Sequence, residues 1–386
     1  MSEVNKELLR SHTHSIGGLT IHQFHDFPSV ETDWRGLETH GLATIYQSFD
    51  WCKTWMNVWG NSLLVQPYIL VAKNENNEIV FILPWQLRRR LGVTCLEWLG
   101  QPSFNYGAGL FSKKIVSAEW FNLYASELLN FHKSPAVINL RNMPERLLEL
   151  TNPLSILHKS RGANSSFALN LNSNFEALQS SKRTPKSLSK IKRRDVRLRE
   201  LGDLVFEYIV DPATARLAIN ESIDHKNRQL RENGVANIFS TEDRQFYTDV
   251  FANNLAVFKL TLDGETLSTM IGAKFNGCFH LMIASLGSQK AQNLSPGDYL
   301  LRKTIAYYCG VNIQTYDFGS GEQAYKLHWA DSEIQLFNFI AARSLRGLPL
   351  SLAWRFSESL KRYIKSQARI WKIFVRLRER LLGRPS

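Results

Sequence analysis

The amino-acid sequence predicts a mixed α/β (α+β) fold of two similar tandem domains, each a mostly antiparallel sheet flanked by helices, plus a basic C-terminal helix. Three observations lead to this prediction. The order of three strands, a helix and a further strand occurs twice along the chain. Hairpin dipeptides separate the strands of the second set. Regularly spaced apolar residues among lysines and arginines close the sequence.

The second set contains the clearest strand signals. Asp263-Gly264 and Asn276-Gly277 join β-rich runs, and both dipeptides tolerate the positive φ that tight hairpins need. A helix over 298–309 follows Ser295-Pro296-Gly297, since proline favours the first helical position. The predicted strands of this set are 256–262, 266–275, 278–285 and 314–318.

The first set repeats this order with weaker turns. A helix is predicted at 118–131, and its strands at 68–73, 79–87, 93–99 and 136–140. Two more helices, within 213–232 and 246–254, fall between the sets. Ser240 to Asp243 reads as a capping box for the second of them. The expected divisions are 1–165, 166–342 and 343–386, with the first boundary in the Ser/Asn-rich stretch 160–173.

Composition excludes several classes of protein. The chain has 386 residues, 44% of them hydrophobic, which excludes global disorder. No apolar run approaches the roughly 18 residues of a spanning helix, and the start is polar, so we expect neither an integral membrane protein nor a secretory signal. The 4 cysteines form no C-x-x-C pair, which argues against disulfides and a zinc site. A cytoplasmic location follows, with no metal.

The positive charge is concentrated in two segments. The chain carries a net charge of +12. Residues 182–199 hold 9 basic residues and 1 acidic residue, and residues 343–386 hold 12 basic and 2 acidic. The remainder is mildly acidic, so these two segments need a function of their own.

Several motifs of the second half resemble one known family. They are Ser295-Pro296-Gly297-Asp298-Tyr299-Leu300-Leu301, Tyr316 to Glu322, Tyr325-Lys326 and Trp329. His225-Lys226-x-Arg228, with Gly234 and Phe239, fits the family's middle helix. Gln47 to Trp51 and Leu83-Pro84 to Arg90 fit its first domain more loosely. Over roughly 45–339 the sequence resembles the CelD/BcsL-type acyltransferases of the GNAT superfamily, which are associated with cellulose and other exopolysaccharides. That family is similar to the Fem-type aminoacyltransferases, which carry two GNAT-like domains.

The resemblance implies an N- or O-acyltransferase with acyl-CoA, most simply acetyl-CoA, as donor. Typical GNAT enzymes hold the CoA pyrophosphate with a Q/R-x-x-G-x-G/A loop. The corresponding residues here, Gln292 to Gly297, include one glycine. Fem-type relatives also lack the full loop and use aminoacyl-tRNA, so charged tRNA stays open as the donor.

Candidate site residues follow from their positions in these motifs. Ser295, Pro296, Gly297 and Asp298 begin a helix whose free N–H groups could bind a phosphate or an oxyanion. The alternative is that they only start the helix. The resemblance adds Tyr325 to the donor site.

Three residues are candidates for catalysis. Asp317 ends a predicted buried strand, where it could accept a proton or orient Lys326; equally, it could cap the next turn. Lys326 could neutralise a donor phosphate or the developing oxyanion, or be a solvated lysine. His225 could be a general base or a surface histidine.

The two basic segments suggest partners. Lys190, Arg193, Arg194 and Arg197 fall on one helical face, which could hold the phosphates of a lipid-linked or nucleotide-linked sugar, or of tRNA. Aromatic residues are not interleaved with them, and no DNA partner is expected. The amphipathic helix predicted over 350–382 suits an anionic membrane surface at the inner face of the cytoplasmic membrane, or docking on the protein's own acidic body.

The sequence therefore predicts an acyltransferase acting on a sugar, amino-sugar or related acceptor in exopolysaccharide or cell-envelope synthesis. One alternative is an aminoacyl-tRNA-dependent transferase. The other is a non-catalytic GNAT-fold subunit of a polysaccharide synthesis machinery.

Overall fold

The structure is a computed structural model that describes residues 13–114, 118–130, 135–148, 150–232, 239–250, 255–311 and 313–367. Its strands are β1 (Thr13–Ile16), β2 (Leu19–Phe24), β3 (Val65–Lys73), β4 (Ile79–Arg90), β5 (Val93–Trp98), β6 (Leu110–Phe111), β7 (Val137–Pro144), β8 (Arg146–Leu147), β9 (Leu150–Thr151), β10 (Ser160–Asn170), β11 (Leu204–Ile209), β12 (Leu255–Leu262), β13 (Glu265–Phe275), β14 (Cys278–Leu286), β15 (Thr315–Ser320) and β16 (Ser332–Ala342). Its helices are α1 (Glu31–His40), α2 (Phe49–Trp59), α3 (Ala118–Asn130), α4 (Phe175–Lys182), α5 (Pro185–Glu200), α6 (Pro212–Glu232), α7 (Thr241–Val250), α8 (Pro296–Cys309), α9 (Ala324–Trp329) and α10 (Leu348–Ser366).

These elements form two compact units. Within the described residues, unit 1 comprises 13–165 and 334–366, and unit 2 comprises 166–333. Each unit contains a mostly antiparallel sheet flanked by helices, so the predicted fold class is confirmed.

Unit 1 is built on the meander of β3, β4 and β5. β1 and β2 extend this sheet beyond β3, all with antiparallel pairing. On the other side β5 pairs with β7 in parallel, and β7 pairs with β16 in antiparallel fashion. A tryptophan-rich core covers the sheet, with Trp34, Trp51, Trp55, Trp85 and Trp98 fully buried.

Unit 2 repeats this arrangement. β11, β12, β13 and β14 pair in antiparallel order, β14 pairs with β15 in parallel, and β15 pairs with β10 in antiparallel fashion. Asp263 and Gly264 have φ of 51° and 79°, and Asn276 and Gly277 have 46° and 74°. The two hairpins therefore use the left-handed turns that their dipeptides predicted.

The core of unit 2 lies between its sheet and α8. Leu300, Leu301, Ile305 and Tyr308 of α8 pack against apolar side chains of the central strands. Because Leu301, Ile305 and Tyr308 are spaced by four and three residues, with Leu300 next to Leu301, one face of the helix meets the sheet. This packing fixes the start of α8 beside β13 and β14.

Two strands lie near the expected boundaries and were not among the predicted elements. β10 spans most of the Ser/Asn-rich stretch in which the first boundary was expected, and its Phe167, Ala168 and Leu169 are buried. β16 was not predicted, and its residues 334–342 join unit 1 through pairing with β7. Residues 348–366 likewise group with unit 1 instead of forming a separate tail. The predicted continuation of this helix, 368–382, lies outside the described residues.

Contacts with β7 explain the position of α10. The Arg141 guanidinium donates to Glu358 at 2.9 Å and lies 5.5 Å from the centre of the Trp354 ring.

None of the helices in the described part of the chain combines the length and the apolar character that crossing a membrane requires.

Candidate active site

The candidate site lies where two parallel strands of unit 2 part. β14 and β15 pair over three residues only, ending at His280 opposite Asp317, although both strands continue beyond this point. A cavity of about 320 Å³ is lined by the second half of β14, the start of α8 and the residues that follow β15. Its lining is mixed: Met270, Leu286 and Leu301 are apolar, and Lys226, Asp298 and Tyr325 are polar.

The start of α8 forms one wall of the cavity. Gly297 and Asp298 line it, and a Cβ at Gly297 would lie 2.9 Å from the Leu286 side chain. Ser295 precedes the helix with a φ of 58°, a left-handed conformation that glycine adopts most easily. Ser295 occupies the position of the first glycine in the donor-loop pattern. A left-handed residue is therefore present at this position although it is not a glycine.

Arginines surround the Asp298 carboxylate. Arg183 and Arg302 approach it to 3.4 and 3.2 Å, and Arg194 to 3.7 Å. Arg194 also donates to the Ser295 hydroxyl at 2.7 Å. Arg302 is tied to Asp195 by a bidentate pair at 2.6 and 2.8 Å. The start of α8 is therefore electropositive despite Asp298.

Asp317 is buried at the point where the strands part. Its Oδ2 lies 2.8 Å from His280 Nδ1, and its Oδ1 accepts a hydrogen bond from the Gly319 N–H at 2.7 Å. Burial by itself lowers the pKa of His280, but the neighbouring Cys278 and Asp317 outweigh it and raise that pKa. When protonated, His280 forms a buried ion pair with Asp317.

Lys326 lies at the same strand end. Its side chain is buried, and its Nζ donates to the Ser320 and Gly319 carbonyls at 2.7 and 3.3 Å. Burial lowers the pKa of Lys326 to about 8, Asp317 opposes this shift and Lys226 adds to it. Burial raises the pKa of the neighbouring Tyr325 to about 12.

α6 provides the opposite wall. Lys226 and Gln229 line the cavity, and Lys226 Nζ donates to the Ala284 carbonyl at 2.8 Å. Burial lowers the pKa of Lys226. His225, the residue before Lys226, is not among the residues that line the cavity, and its Nε2 lies 4.0 Å from Glu221. Burial also lowers the pKa of His225, which favours the neutral imidazole that a general base requires.

The four basic residues predicted to bind phosphate do not all share one environment. Lys190, Arg193 and Arg197 are exposed on α5. Arg194 is half-buried and points to the start of α8, as described above. The structure thus brings Arg194 to the cavity wall and leaves the other three on the surface of the helix.

Sequence reasoning missed two residues of the site, Lys226 and His280. The sequence analysis places Lys226 in a family motif without giving it a role. It lies four residues after Ser222, and therefore on the same face of α6, and the Ser222 hydroxyl lies 2.9 Å from that of Ser285 in β14. That helical spacing was the available signal. His280 carried no signal, because its partner Asp317 is 37 residues away. Among the described residues, no cluster of three or more His, Cys, Asp or Glu could hold a metal ion.

The comparison with protein families agrees with this geometry. Residues 185–327 match the model of the acetyltransferase (GNAT) domain family. Unit 2 therefore carries a GNAT acetyltransferase domain, which supports an acyltransferase activity without defining the transferred group. No curated protein matches the chain.

Two solved structures are similar to this chain at low identity. The crystal structure of FemX is 10% identical and has a TM-score of 0.53, covering 81% of this chain and 96% of its own. A tandem GNAT protein from the clavulanic acid biosynthesis pathway is 12% identical with a TM-score of 0.44, covering 84% of this chain and 99% of its own. The likeness to FemX shows the fold alone.

Proposed function

We propose that the chain transfers an acyl group from a donor bound in the cavity of unit 2 to a sugar, amino-sugar or related acceptor, as in the CelD/BcsL-type family. The observation that carries the proposal is the parting of β14 and β15 after His280 and Asp317, with the cavity opening there beside the start of α8. An acyl chain needs such a slot, because a continuous ladder would leave no space between the strands.

Acyl-CoA remains the proposed donor although the loop from Gln292 to Gly297 contains one glycine only. The left-handed Ser295 supplies the turn, and Gly297 leaves room that a side chain would fill. Arg183 and Arg194 place positive charge where a phosphate would meet the N-terminal end of α8. When bound, acyl-CoA would supply the activated acyl group.

The chain's own residues would then manage charge and protons. His225, held neutral by burial, would accept the proton that the acceptor loses. Lys326 would stabilise negative charge that develops on the acyl oxygen or lies on a phosphate. Asp317, paired with His280, would hold the end of β15 and so position Lys326 through Gly319 and Ser320.

The exposed basic residues of α5 support a phosphate-bearing acceptor. Lys190, Arg193 and Arg197 form one exposed face of α5. A cluster of positive charges on a surface attracts polyanions. A sugar carried by a nucleotide or a lipid phosphate would satisfy this requirement. Association with a polysaccharide synthesis machinery is part of the same proposal.

An anionic membrane surface is the proposed location. α10 turns Trp354 and Glu358 towards β7, whereas Leu352, Phe356 and Leu360 on its other side are exposed, Phe356 by 69%. Arg355, the residue before Phe356, is also exposed. A docked helix that still exposes an apolar face beside arginines is typical of membrane-surface binding.

A donor-binding screen tests the central proposal. Acetyl-CoA, longer acyl-CoAs and charged tRNA would be titrated by calorimetry into the wild type, Gly297→Leu and the matched control Lys303→Leu, which places the same side chain on the exposed side of α8. We expect acyl-CoA binding that Gly297→Leu weakens at least ~10-fold, since the leucine enters the cavity. Salt-sensitive binding of charged tRNA alone would favour aminoacyl transfer. Binding of no donor would favour the non-catalytic subunit.

A further inference from the structure

Lys226 and Lys326 each donate to a main-chain carbonyl at the place where β14 and β15 part, Lys226 to Ala284 and Lys326 to Ser320. They come from different elements, α6 and α9, and Lys326 is only 5% exposed. The charge of Lys226 also lowers the pKa of Lys326. Lys226 lines the cavity, as does Tyr325, the residue before Lys326.

Neither lysine forms an ion pair within 4.0 Å in the described ranges. Their partners are the main-chain carbonyls of Ala284, Gly319 and Ser320. Asp317 is the carboxylate whose charge acts on Lys326, and it is engaged by His280 and the Gly319 N–H. The carbonyls satisfy hydrogen bonds, and at Lys326 the effect of burial on the pKa outweighs the opposing charge of Asp317.

Such an arrangement is unfavourable for an empty protein. Burying one ammonium group without a counter-charge costs free energy, and a second one adds repulsion. Groups whose pKa values are shifted by burial and by a neighbouring charge cluster at functional sites. An anion between the two lysines would remove both costs at once.

We propose that Lys226 and Lys326 together form a binding site for a single oxyanion group, a phosphate or carboxylate, carried by a substrate of the cavity. Gln229 lies one turn after Lys226 and also lines the cavity. The proposal rests on the proposed function, because it takes the cavity as the substrate site. It adds a substrate class: one of the two substrates presents an anion to α6 and α9.

Inorganic phosphate is a direct probe of this site. Calorimetric titrations at constant ionic strength would compare the full-length wild type with Lys226→Met, Lys326→Met and the control Lys274→Met. Lys274 is an exposed lysine of β13 in the same unit. We expect each of the first two substitutions to weaken phosphate binding at least 10-fold and the control to leave it unchanged.

A fourth variant guards against misfolding. Lys226→Gln keeps a donor to the Ala284 carbonyl but removes the charge, and it should weaken phosphate binding as Lys226→Met does. Phosphate affinities equal to wild type in the folded variants, or no phosphate binding by the wild type, would overturn the proposal.

A second arm distinguishes the source of the anion. Phosphate that still binds in the presence of saturating acetyl-CoA assigns the site to the acceptor. Phosphate that acetyl-CoA displaces assigns it to the donor, and both results support an oxyanion site. Phosphate binding by a protein that binds no acyl donor would retain this site while contradicting the proposed function.

Discussion

Units 1 and 2 contain matching parallel ladders that end in different surroundings. In unit 1, Cys95–Glu97 pair with Val137–Asn139, and in unit 2, Cys278–His280 pair with Thr315–Asp317. Each ladder has three residue pairs, begins at a cysteine and ends at two buried polar side chains that bond to each other. Asn139 donates to Glu97 at 3.1 Å, and His280 meets Asp317 at 2.8 Å.

Beyond its ladder, unit 1 is filled by its own chain. Gln101 donates to the Asn139 carbonyl at 3.2 Å, and the Gly107 N–H donates to the Asn142 carbonyl at 3.0 Å. A Cβ at Gly107 would lie 2.4 Å from both the Arg141 carbonyl oxygen and the Trp98 ring. The segment between β5 and β6 therefore packs against β5 and β7, and it leaves no room for a side chain at Gly107.

Beyond its ladder, unit 2 has the cavity lined by Lys226 and Asp298 instead. The same topology thus supports a closed space in one unit and an open one in the other. We infer that unit 2 performs the chemistry and that unit 1 stabilises the fold. The predictions below test this contrast.

The largest effect is expected at Lys326. Lys326→Met should lower kcat/KM by ~10³-fold, about 4 kcal/mol, because a buried charge that stabilises the transition state is lost. Lys73→Met is the matched control, since Lys73 is a partly buried lysine of unit 1 paired with Asp33 at 2.8 Å. Steady-state kinetics of both folded variants measures the difference. Equal activities would remove the contrast between the units.

The pH dependence of the reaction sharpens the same assignment. Since burial lowers the pKa of Lys326 to about 8, its ammonium group loses its proton as the pH rises through that value. We expect wild-type kcat/KM to fall on the alkaline side of pH 8. A pH–rate profile of Lys326→Met should lack this limb; a limb that persists would assign it to another group.

A moderate effect is expected where the ladders end. His280→Ala and Glu97→Ala each break a buried charged network, so each should lower the free energy of unfolding by about 3 kcal/mol. Only His280→Ala should also lower kcat/KM, by ~10-fold, since Asp317 positions the end of β15. Denaturant melts combined with kinetics separate the two. Loss of activity in folded Glu97→Ala would show that unit 1 takes part in the reaction.

The smallest change in stability is expected on α10. Replacing Leu352 and Phe356 by serine should alter the free energy of unfolding by less than about 0.5 kcal/mol, because both side chains are exposed. Sedimentation with anionic liposomes should nevertheless be lost. Arg141→Ala is the contrasting variant, since it breaks the contact with Glu358 and should destabilise unit 1 while retaining liposome binding. Unchanged sedimentation of the serine variant would contradict a membrane-bound α10.

Much of unit 2 could be predicted from the sequence because its signals are local. The dipeptides Asp263-Gly264 and Asn276-Gly277 predicted the two hairpins of the meander, and both have the positive φ expected. The predicted capping box is confirmed by reciprocal hydrogen bonds between Ser240 and Asp243 at 2.7 and 3.2 Å. β10 and β16 were missed, because their pairing partners are distant in sequence and serine and asparagine dilute their apolar pattern.

The site was only partly predictable for the same reason. Asp317 lies in β15 and Lys326 follows that strand closely in the sequence, so their proximity could be expected. The pairing of Asp317 with His280 and the approach of Lys226 depend on the order of strands and on the packing of α6. Residue types at these positions carry no information about either.

Hydrogen exchange in the presence of acetyl-CoA tests most directly whether the open ladder of unit 2 is the donor site. Amide exchange would be compared with and without acetyl-CoA for two matched regions, 284–301 in unit 2 and 95–109 in unit 1. Bound donor should slow exchange in 284–301, because β14 and the start of α8 line the cavity. Exchange in 95–109 should stay unchanged. Protection confined to 95–109 would contradict the account, since it would place the donor in the unit whose space is filled by its own chain.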